Sequence, residues 1–355
     1  MKLHNFCAGP AMLPKAVLQE ASEAVLDYNN EGLSLLEFSH RGSQFAEILE
    51  KSKKLVFDLL GISAMHYEVL FLQGGARMEF ARIPMNFLSK AGFALYLDTG
   101  VWAKDAYLQA LSVGDVALVA SSVDKAYSYI PQGYTIDAKA DYFHCTSNNT
   151  IYGTQMFDFP KTNVPIICDM SSDIFSRKLD FSSFGVIYAG VQKNAGTAGL
   201  SLVVIRKDLL RNITNIPDIL NYKVHVDKGN LYNTPAVFAT YVSFLTLKWI
   251  KSQGGLEAME VRNEQKARVL YNEIDRNPLL QGMAQKPYRS KMNVTFTLTD
   301  QSYTKRFQEL CLKYGIVGIQ GHRTVGGYRA SIYNAMPQES VEVLVHALAE
   351  LERKG

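Results

Sequence analysis

The sequence predicts an α/β protein: a large domain built on a mainly parallel sheet, and a smaller α+β domain after it. Two observations carry this prediction. From Val69 onward, short apolar runs alternate with segments of helical spacing, the pattern of strands covered on both faces by helices. After about residue 235 the alternation gives way to long helical segments and one strand of alternating character. The composition agrees: 355 residues exceed the usual compact domain, and 47% hydrophobic with 20% charged residues is ordinary for a globular chain.

Taken in order, residues 1–14 read as irregular, with Gly9-Pro10 and Pro14 as punctuation. Lys15 to Asn29 has helical spacing in Val17, Leu18, Ala21, Val25 and Tyr28. Ser43 to Leu60 is a second helix through Phe45, Ile48, Leu49, Val56 and Leu59, with Gly61 placed to close it. The runs Val69–Leu72, Phe93–Leu97, Val116–Val119, Tyr142–Cys145, Ile166–Met170, Val186–Ala189 and Leu200–Ile205 are expected to be buried strands, with helices at Met78–Leu88 and Ala103–Leu111. Then come helices at Ala236–Lys251 and Leu256–Asp275, a strand at Asn293–Leu298, and helices around Tyr303–Tyr314 and Glu339–Leu351. The large domain is expected over residues 15–255, and the smaller over 1–14 plus 256–355. Such a boundary falls anywhere between about 250 and 285.

Charge and cysteine content narrow the function. With 37 basic and 34 acidic residues, the net charge of +3 argues against a nucleic-acid surface or a polybasic membrane anchor. Cys7, Cys145, Cys168 and Cys311 lie far apart and form no CxxC pair, so neither a zinc site nor a disulfide framework is expected. The first ten residues lack the apolar core of a signal peptide, and no run reaches the roughly 18 apolar residues of a membrane span. A cytoplasmic protein is expected.

Five segments carry chemistry. In Val186-Ile-Tyr-Ala-Gly-Val-Gln-Lys193-Asn-Ala-Gly196 a strand-like run ends in a turn holding a lysine, the side chain that forms a Schiff base with an aldehyde cofactor once it loses its proton. Alone, a loop lysine is most often solvated surface. Asp169 ends the run Ile166-Ile-Cys-Asp, where a carboxylate points into the ligand crevice of an α/β sheet. It is also the group that holds a protonated pyridine nitrogen, although an Asp capping a turn is commoner. Gln73-Gly74-Gly75-Ala76-Arg77 lies between a strand and a helix, where backbone N–H groups can approach a phosphate. No GxGxxG follows a strand and no GxxxxGK[ST] occurs, so the dinucleotide and P-loop readings lose their main support. Trp102, one of two tryptophans, follows a strand at a Gly turn and can stack on a flat heteroaromatic ring or simply fill a core. His40-Arg41-Gly42 and Gly321-His322-Arg323…Arg329 place His and Arg in Gly-containing loops far apart in sequence, donors suited to carboxylate and phosphate.

Together these segments resemble the phosphoserine aminotransferase family, fold-type I enzymes that use pyridoxal 5'-phosphate. The resemblance runs from Asn5-Phe-Cys-Ala-Gly-Pro-Ala-Met-Leu-Pro14 to Tyr328-Arg-Ala-Ser-Ile-Tyr-Asn-Ala-Met-Pro337. Its most specific motifs are His40-Arg41, Gly74-Gly-Ala-Arg77, Asn148-Asn-Thr-Ile-Tyr-Gly153, Asp169-Met-Ser-Ser172, Tyr188-Ala-Gly-Val-Gln-Lys193-Asn and Asn233-Thr-Pro235. It implies that Lys193 forms the Schiff base and shuttles the substrate proton, that Asp169 pairs with the pyridine nitrogen, and that Trp102 stacks on the ring. Ala76, Arg77, Thr150 and Gln192 match other cofactor contacts. Asn233 and Thr234 match residues that reach the cofactor phosphate of a neighbouring subunit, which implies a homodimer with shared active sites. Arg41 matches an α-carboxylate anchor, and His40, His322, Arg323 and Arg329 match residues that meet the substrate's phosphate or carboxylates. The implied reaction is reversible amino transfer between L-glutamate and 3-phosphohydroxypyruvate, giving O-phospho-L-serine and 2-oxoglutarate in serine biosynthesis. The alternatives are another fold-type I enzyme, such as an alanine–glyoxylate type aminotransferase or a cysteine desulfurase, or a non-catalytic protein that binds the cofactor. The sequence departs from the family pattern at Ala103, where a serine is expected, and at Asp173 and Phe175, where smaller or apolar residues are expected.

Overall fold

The computed structural model describes residues 2–353. Its frame is a seven-stranded sheet. In chain order the first strand, β1, is His4–Asn5, and the helices α1 and α2 span Lys15–Leu26 and Ser43–Leu60. Then come β2 (Tyr67–Gln73), α3 (Gly75–Phe87), β3 (Ala94–Asp98), α4 (Val101–Leu111), β4 (Val116–Ser121) and β5 (Tyr142–Thr146). A short hairpin, β6 (Asn148–Asn149) and β7 (Thr154–Gln155), precedes β8 (Ile166–Asp169), β9 (Val186–Gly190) and β10 (Leu200–Arg206).

The sheet order is β2-β10-β9-β8-β5-β3-β4. All neighbours from β9 to β4 pair in parallel, while β10 runs antiparallel to both β9 and β2. The reason is local. The loop 191–199 between β9 and β10 is too short for the crossover that a parallel pair needs, so the chain turns straight back. That same loop carries Lys193. The runs predicted as strands form the sheet, but β4 is a half-exposed edge strand rather than a buried one, because no strand among the described residues pairs beyond it.

Helices cover both faces. One core gathers Phe45, Leu49 and Val56 of α2 against Val69, Phe71, Phe143 and Ile166. The buried positions of α2 recur at helical spacing, and Gly61 closes it in the left-handed conformation (φ 64°). The opposite face packs Phe80, Ile83 and Phe87 of α3 and Ala106 and Ala110 of α4 on Leu70, Tyr96, Tyr142 and Tyr188. Helix α1 ends at Leu26, earlier than its apolar spacing suggests, because Asp27 turns to an extended backbone (φ −157°, ψ 108°) and Asn29 and Asn30 after it take positive φ. In α3 the helix starts at Gly75 rather than at Met78, which puts Ala76 and Arg77 in its first turn.

The chain continues through α5 (Tyr222–Asp227), α6 (Val237–Ser252) and α7 (Gly255–Arg276). A second core follows. Strands β11 (Leu280–Gly282), β12 (Asn293–Leu298) and β14 (Tyr328–Ser331) form an antiparallel sheet, with α8 (Thr304–Lys313), β13 (Ile316–Val317) and α9 (Gln338–Arg353) around it. Helix α7 joins the two cores: Leu256 and Met259 lie in the first, Leu270 and Ile274 in the second. The N-terminal residues are less irregular than their Gly and Pro content suggests. His4 and Asn5 pair in parallel with Ile316 and Val317, and Phe6 is buried in the second core.

Candidate active site

At the carboxyl ends of the parallel strands lies a cavity of about 460 Å³, lined among others by Gly74, Trp102, Thr150, Asp169, Lys193 and Arg329. This is where an α/β sheet opens to ligand. Asp169 is the last residue of β8 and is only 5% exposed. Its Oδ1 accepts from the Ser171 backbone N–H (2.9 Å) and hydroxyl (2.6 Å). No protein donor among the described residues reaches Oδ2, so one carboxylate oxygen is left for a ligand. Burial pushes the Asp169 carboxyl above its ordinary value, while the Lys193 charge and the Ser171 bonds oppose that rise.

Lys193 sits in the loop between β9 and β10. Burial lowers its amine below the ordinary value, the nearby Asp169 carboxylate pulls it back up, and Arg329 adds to the lowering. The stem is held by its surroundings. The Ala11 N–H donates to the Gln192 carbonyl over 2.9 Å, so the N-terminal segment Ala8–Pro10 walls the cavity. A Cβ on Gly9 would stand 3.4 Å from the Lys193 Cγ. A lysine that is dry, lies near a guanidinium and faces a cavity is set up to give up its proton and react as a free amine, against the opposing pull of Asp169.

The opposite wall comes from α3 and α4. Gly74 takes φ 115°, and a Cβ there would lie 2.7 Å from the Met78 Cβ. No side chain caps α3, so its first-turn N–H groups remain available to an anion. Trp102 donates its indole N–H to the Thr150 hydroxyl over 3.1 Å, which fixes the ring plane at the cavity wall. Arg77 lies 5.4 Å over that ring and pairs with Asp105, so its guanidinium points along the rim. At the other rim, Arg329 donates to the Thr150 carbonyl over 3.1 Å. His322 lines the cavity, and burial with the charges of Arg329 and Arg323 holds its imidazole below the ordinary value. These are the parts a pyridoxal phosphate needs: an amine for its aldehyde, an open carboxylate oxygen for its ring nitrogen, a flat wall, and a helix N-terminus for its phosphate.

Of the residues singled out from sequence, one chain brings Ala76, Arg77, Trp102, Thr150, Asp169, Gln192, Lys193, His322 and Arg329 to this cavity. It does not bring His40, Arg41, Arg323, Asn233 or Thr234. Arg41, Arg323 and Thr234 are exposed. Asn233 lines a separate cavity behind Gly74, where it donates to the Gln73 side chain over 2.8 Å. Ser171, which fixes Asp169 and also accepts from the Gly190 N–H, received no role from sequence, although it lies within the Asp169-Met-Ser-Ser172 motif. Gly9 and Pro10, read as punctuation, wall Lys193; nothing but their place beside that lysine reveals it. Asp173 is buried and answered by Gln155, Arg177 and Ser147, so the departure there builds a polar support beneath the site. Ala103 is buried in α4. Phe175 is fully buried in the first core, at a positive φ of 57°. No group of His, Cys, Asp or Glu side chains able to hold a metal occurs among the described residues.

Comparison with known proteins agrees with this geometry. A phosphoserine aminotransferase of Flavobacterium johnsoniae is 54% identical over 355 residues, covering 100% of both chains. The crystallised phosphoserine aminotransferase of Bacillus circulans subsp. alkalophilus superposes with a TM-score of 0.96 at 42% identity, covering 99% of each chain. The structure of a pyridoxal phosphate-bound phosphoserine aminotransferase from Trichomonas vaginalis gives 0.93 at 35% identity, covering 98% of this chain and all of that one. The expected fold type I is thus the observed one. The sequence profile described as "Aminotransferase class-V" matches residues 3–344, and the chain belongs to that family.

Proposed function

We propose that this chain is a pyridoxal phosphate-dependent phosphoserine aminotransferase, moving an amino group reversibly between L-glutamate and 3-phosphohydroxypyruvate. The observation that carries the reading is the convergence of Lys193 and Asp169 on one cavity, where the charge of each bears on the other's protonation. When bound, pyridoxal phosphate supplies an aldehyde that condenses with amines and a ring that delocalises carbanion charge. The chain's own residues do the rest. Asp169 offers Oδ2 to a protonated ring nitrogen. Lys193 would hold the cofactor through its aldehyde and, as a free amine, would be the base that takes the Cα proton and returns it elsewhere. The wall of Ala8–Pro10 and Trp102 limits water around that step. Relatives at 44–54% identity over nearly their full length carry the phosphoserine aminotransferase name, and this supports the substrate class.

The cationic groups fit a substrate bearing carboxylate and phosphate. Within one chain Arg329 is the guanidinium whose charge reaches Lys193, and it is better placed for the α-carboxylate than exposed Arg41. His322 lies beside it, with Arg323 next in sequence. His40, Arg41, Asn233 and Thr234 are read as contributions to a neighbouring subunit's site, which makes the working unit a homodimer. Among the described residues no helix is long and apolar enough to cross a membrane, and a cytoplasmic location is proposed with the function.

The test is the visible absorbance of the cofactor-loaded protein before and after adding O-phosphoserine, L-glutamate or L-serine. The band should change with the first two and not with serine. A bound cofactor that ignores O-phosphoserine would overturn the substrate, and a protein that takes up no cofactor would overturn the reading entirely.

A further inference from the structure

A second lysine lies buried outside the cavity. Lys266 of α7 is 2% exposed, and no carboxylate among the described residues pairs with it. Its Nζ donates instead to two backbone carbonyls, Ile332 at 2.9 Å and Tyr333 at 2.6 Å. Those residues are themselves buried, just past the end of β14. An ammonium group is costly to bury without a countercharge, and burial with Arg262 one turn earlier draws its pKa down to about 7. An apolar residue in this place would avoid that cost, so the two carbonyls define what the amine does here.

Two routes lead from those carbonyls to Lys193. In the first, the Asn334 N–H donates to the Asn194 Oδ1 over 3.0 Å, and Asn194 donates on to the Ser172 carbonyl over 3.1 Å. Asn194 is the residue after Lys193, and Ser172 follows the Ser171 that holds Asp169. In the second, the Tyr333 hydroxyl donates to the Ala8 carbonyl over 2.7 Å, and Ala8–Pro10 is the wall against the Lys193 stem. Asn263, one turn before Lys266 on α7, bonds the Asn334 side chain over 2.8 Å, so one helix grips the 332–334 turn at two points.

We propose that Lys266 is a positioning residue for the transamination chemistry: by gathering the Ile332 and Tyr333 carbonyls it sets the 332–334 turn, and the turn sets both flanks of Lys193. This rests on the assignment of Lys193 as the reacting amine. The experiment compares wild type with Lys266→Met, Lys266→Arg and, as a packing control, Leu344→Ala in the second core. Two readouts are taken. One is the pH dependence of Lys193 acetylation by acetic anhydride in ligand-free protein, followed by peptide mass spectrometry. The other is kcat and KM for O-phosphoserine in the pyridoxal phosphate-loaded enzyme.

With Met the acetylation profile of Lys193 should shift toward that of an ordinary lysine, and kcat should fall by about tenfold to a hundredfold, more than KM changes. Lys266→Arg, which keeps donors for both carbonyls, should recover most of the profile. Leu344→Ala should lower the melting temperature and leave the profile in place. A folded Lys266→Met with the wild-type profile, or an equal shift in Leu344→Ala, would overturn the proposal. If the Met variant does not fold, Lys266→Gln, which keeps an uncharged amide NH2 on a shorter stem, is read by the same criteria. A wild type that binds no cofactor would sink the proposed function and the transamination role with it, while the acetylation profile, which needs no cofactor, would still decide whether Lys266 sets the surroundings of Lys193.

Discussion

Thr150 ties Trp102 to Arg329: its hydroxyl accepts the indole N–H and its carbonyl accepts the guanidinium, each over 3.1 Å. One residue thus fixes both the flat wall and a cationic rim of the cavity. Thr150→Val removes only the hydroxyl, keeping shape and the carbonyl. The loss of one hydrogen bond, about 1 kcal/mol, should weaken pyridoxal phosphate binding several-fold, and Thr150→Ser should restore it. Equilibrium titration of the ligand-free protein with the cofactor measures this, and equal affinity in the Val variant would show that the Trp102 plane is set by packing alone.

Lys193 and Asp169 make opposite demands on one dry site. Lys193→Ala removes the proton carrier and should cost at least roughly 10²–10⁴-fold in turnover. Asp169→Asn keeps the size but removes the charge that raises the Lys193 pKa. In ligand-free protein the acetylation of Lys193 should therefore begin at lower pH in Asp169→Asn than in wild type. An unchanged profile would mean that the two side chains do not share a field.

Much of this architecture was legible because covered strands read as continuous apolar runs, and those runs all became strands. The antiparallel direction of β10 lay in the short connection between the predicted runs ending at Ala189 and starting at Leu200, too short for a parallel crossover, whereas the alternation of strands and helices alone suggests a parallel neighbour. The start of α3 was missed because Gly74-Gly75 reads as a turn, although a helix can begin inside such a turn where φ is positive. Lys193, Asp169 and Trp102 could be picked out by residue type at strand ends. Gly9 and Lys266 could not, because each acts through a contact or hydrogen bond to a residue distant in sequence, whereas Ser171 reaches Asp169 two residues away and was within reach of short-range spacing.

His144 gives the fold an acid-sensitive element. It is fully buried, its Nε2 pairs with the Tyr188 hydroxyl at 2.9 Å, its ring stacks on Tyr96 at 4.7 Å, and its Nδ1 has no partner among the described residues. Burial lowers its pKa to about 3. The unfolded chain takes up a proton near the ordinary value, about 6.5, while the folded chain stays neutral until about pH 3. Stability is therefore full above about pH 6.5 and falls as pH drops through that window, by about 1.4 kcal/mol per pH unit while one proton separates the states. His144→Phe should be less stable at neutral pH, since it leaves Tyr188 unpaired, yet its acid limb should be shallower by that slope. Urea denaturation of ligand-free protein across the window reads it directly, and parallel limbs would exclude His144 as the source.

Gly74 and Gly61 both take positive φ, but only one stands in the site. At Gly74 an added Cβ meets Met78 at 2.7 Å; at Gly61 it meets nothing within 4 Å. Each alanine substitution should cost about 1–2 kcal/mol through its left-handed backbone. Gly74→Ala should also displace the first turn of α3 and weaken cofactor binding, whereas Gly61→Ala should leave binding unchanged. Melting temperature and cofactor titration, taken together on both variants, separate the backbone cost from the effect on the site. A Gly74→Ala protein that binds cofactor as wild type does would remove the α3 N-terminus from the phosphate's partners.

Arg41 stays exposed and away from the cavity of its own chain, and this makes the shared-site reading testable by mixing subunits. Arg41→Ala and Lys193→Ala should each be close to inactive as pure proteins, the first because substrate loses a cation and the second because the reacting amine is gone. Unfolded together and refolded, the two chains should form hybrid dimers in which one cavity holds an intact Lys193 from one chain and Arg41 from the other. Turnover should then reappear in the mixture. If Arg41 instead serves its own chain, a hybrid never unites both residues in the chain with the intact lysine, and the mixture should be no more active than Arg41→Ala alone. Size-exclusion chromatography of the mixture must show the dimer in either case, so an inactive mixture of dimers would assign Arg41 to its own subunit.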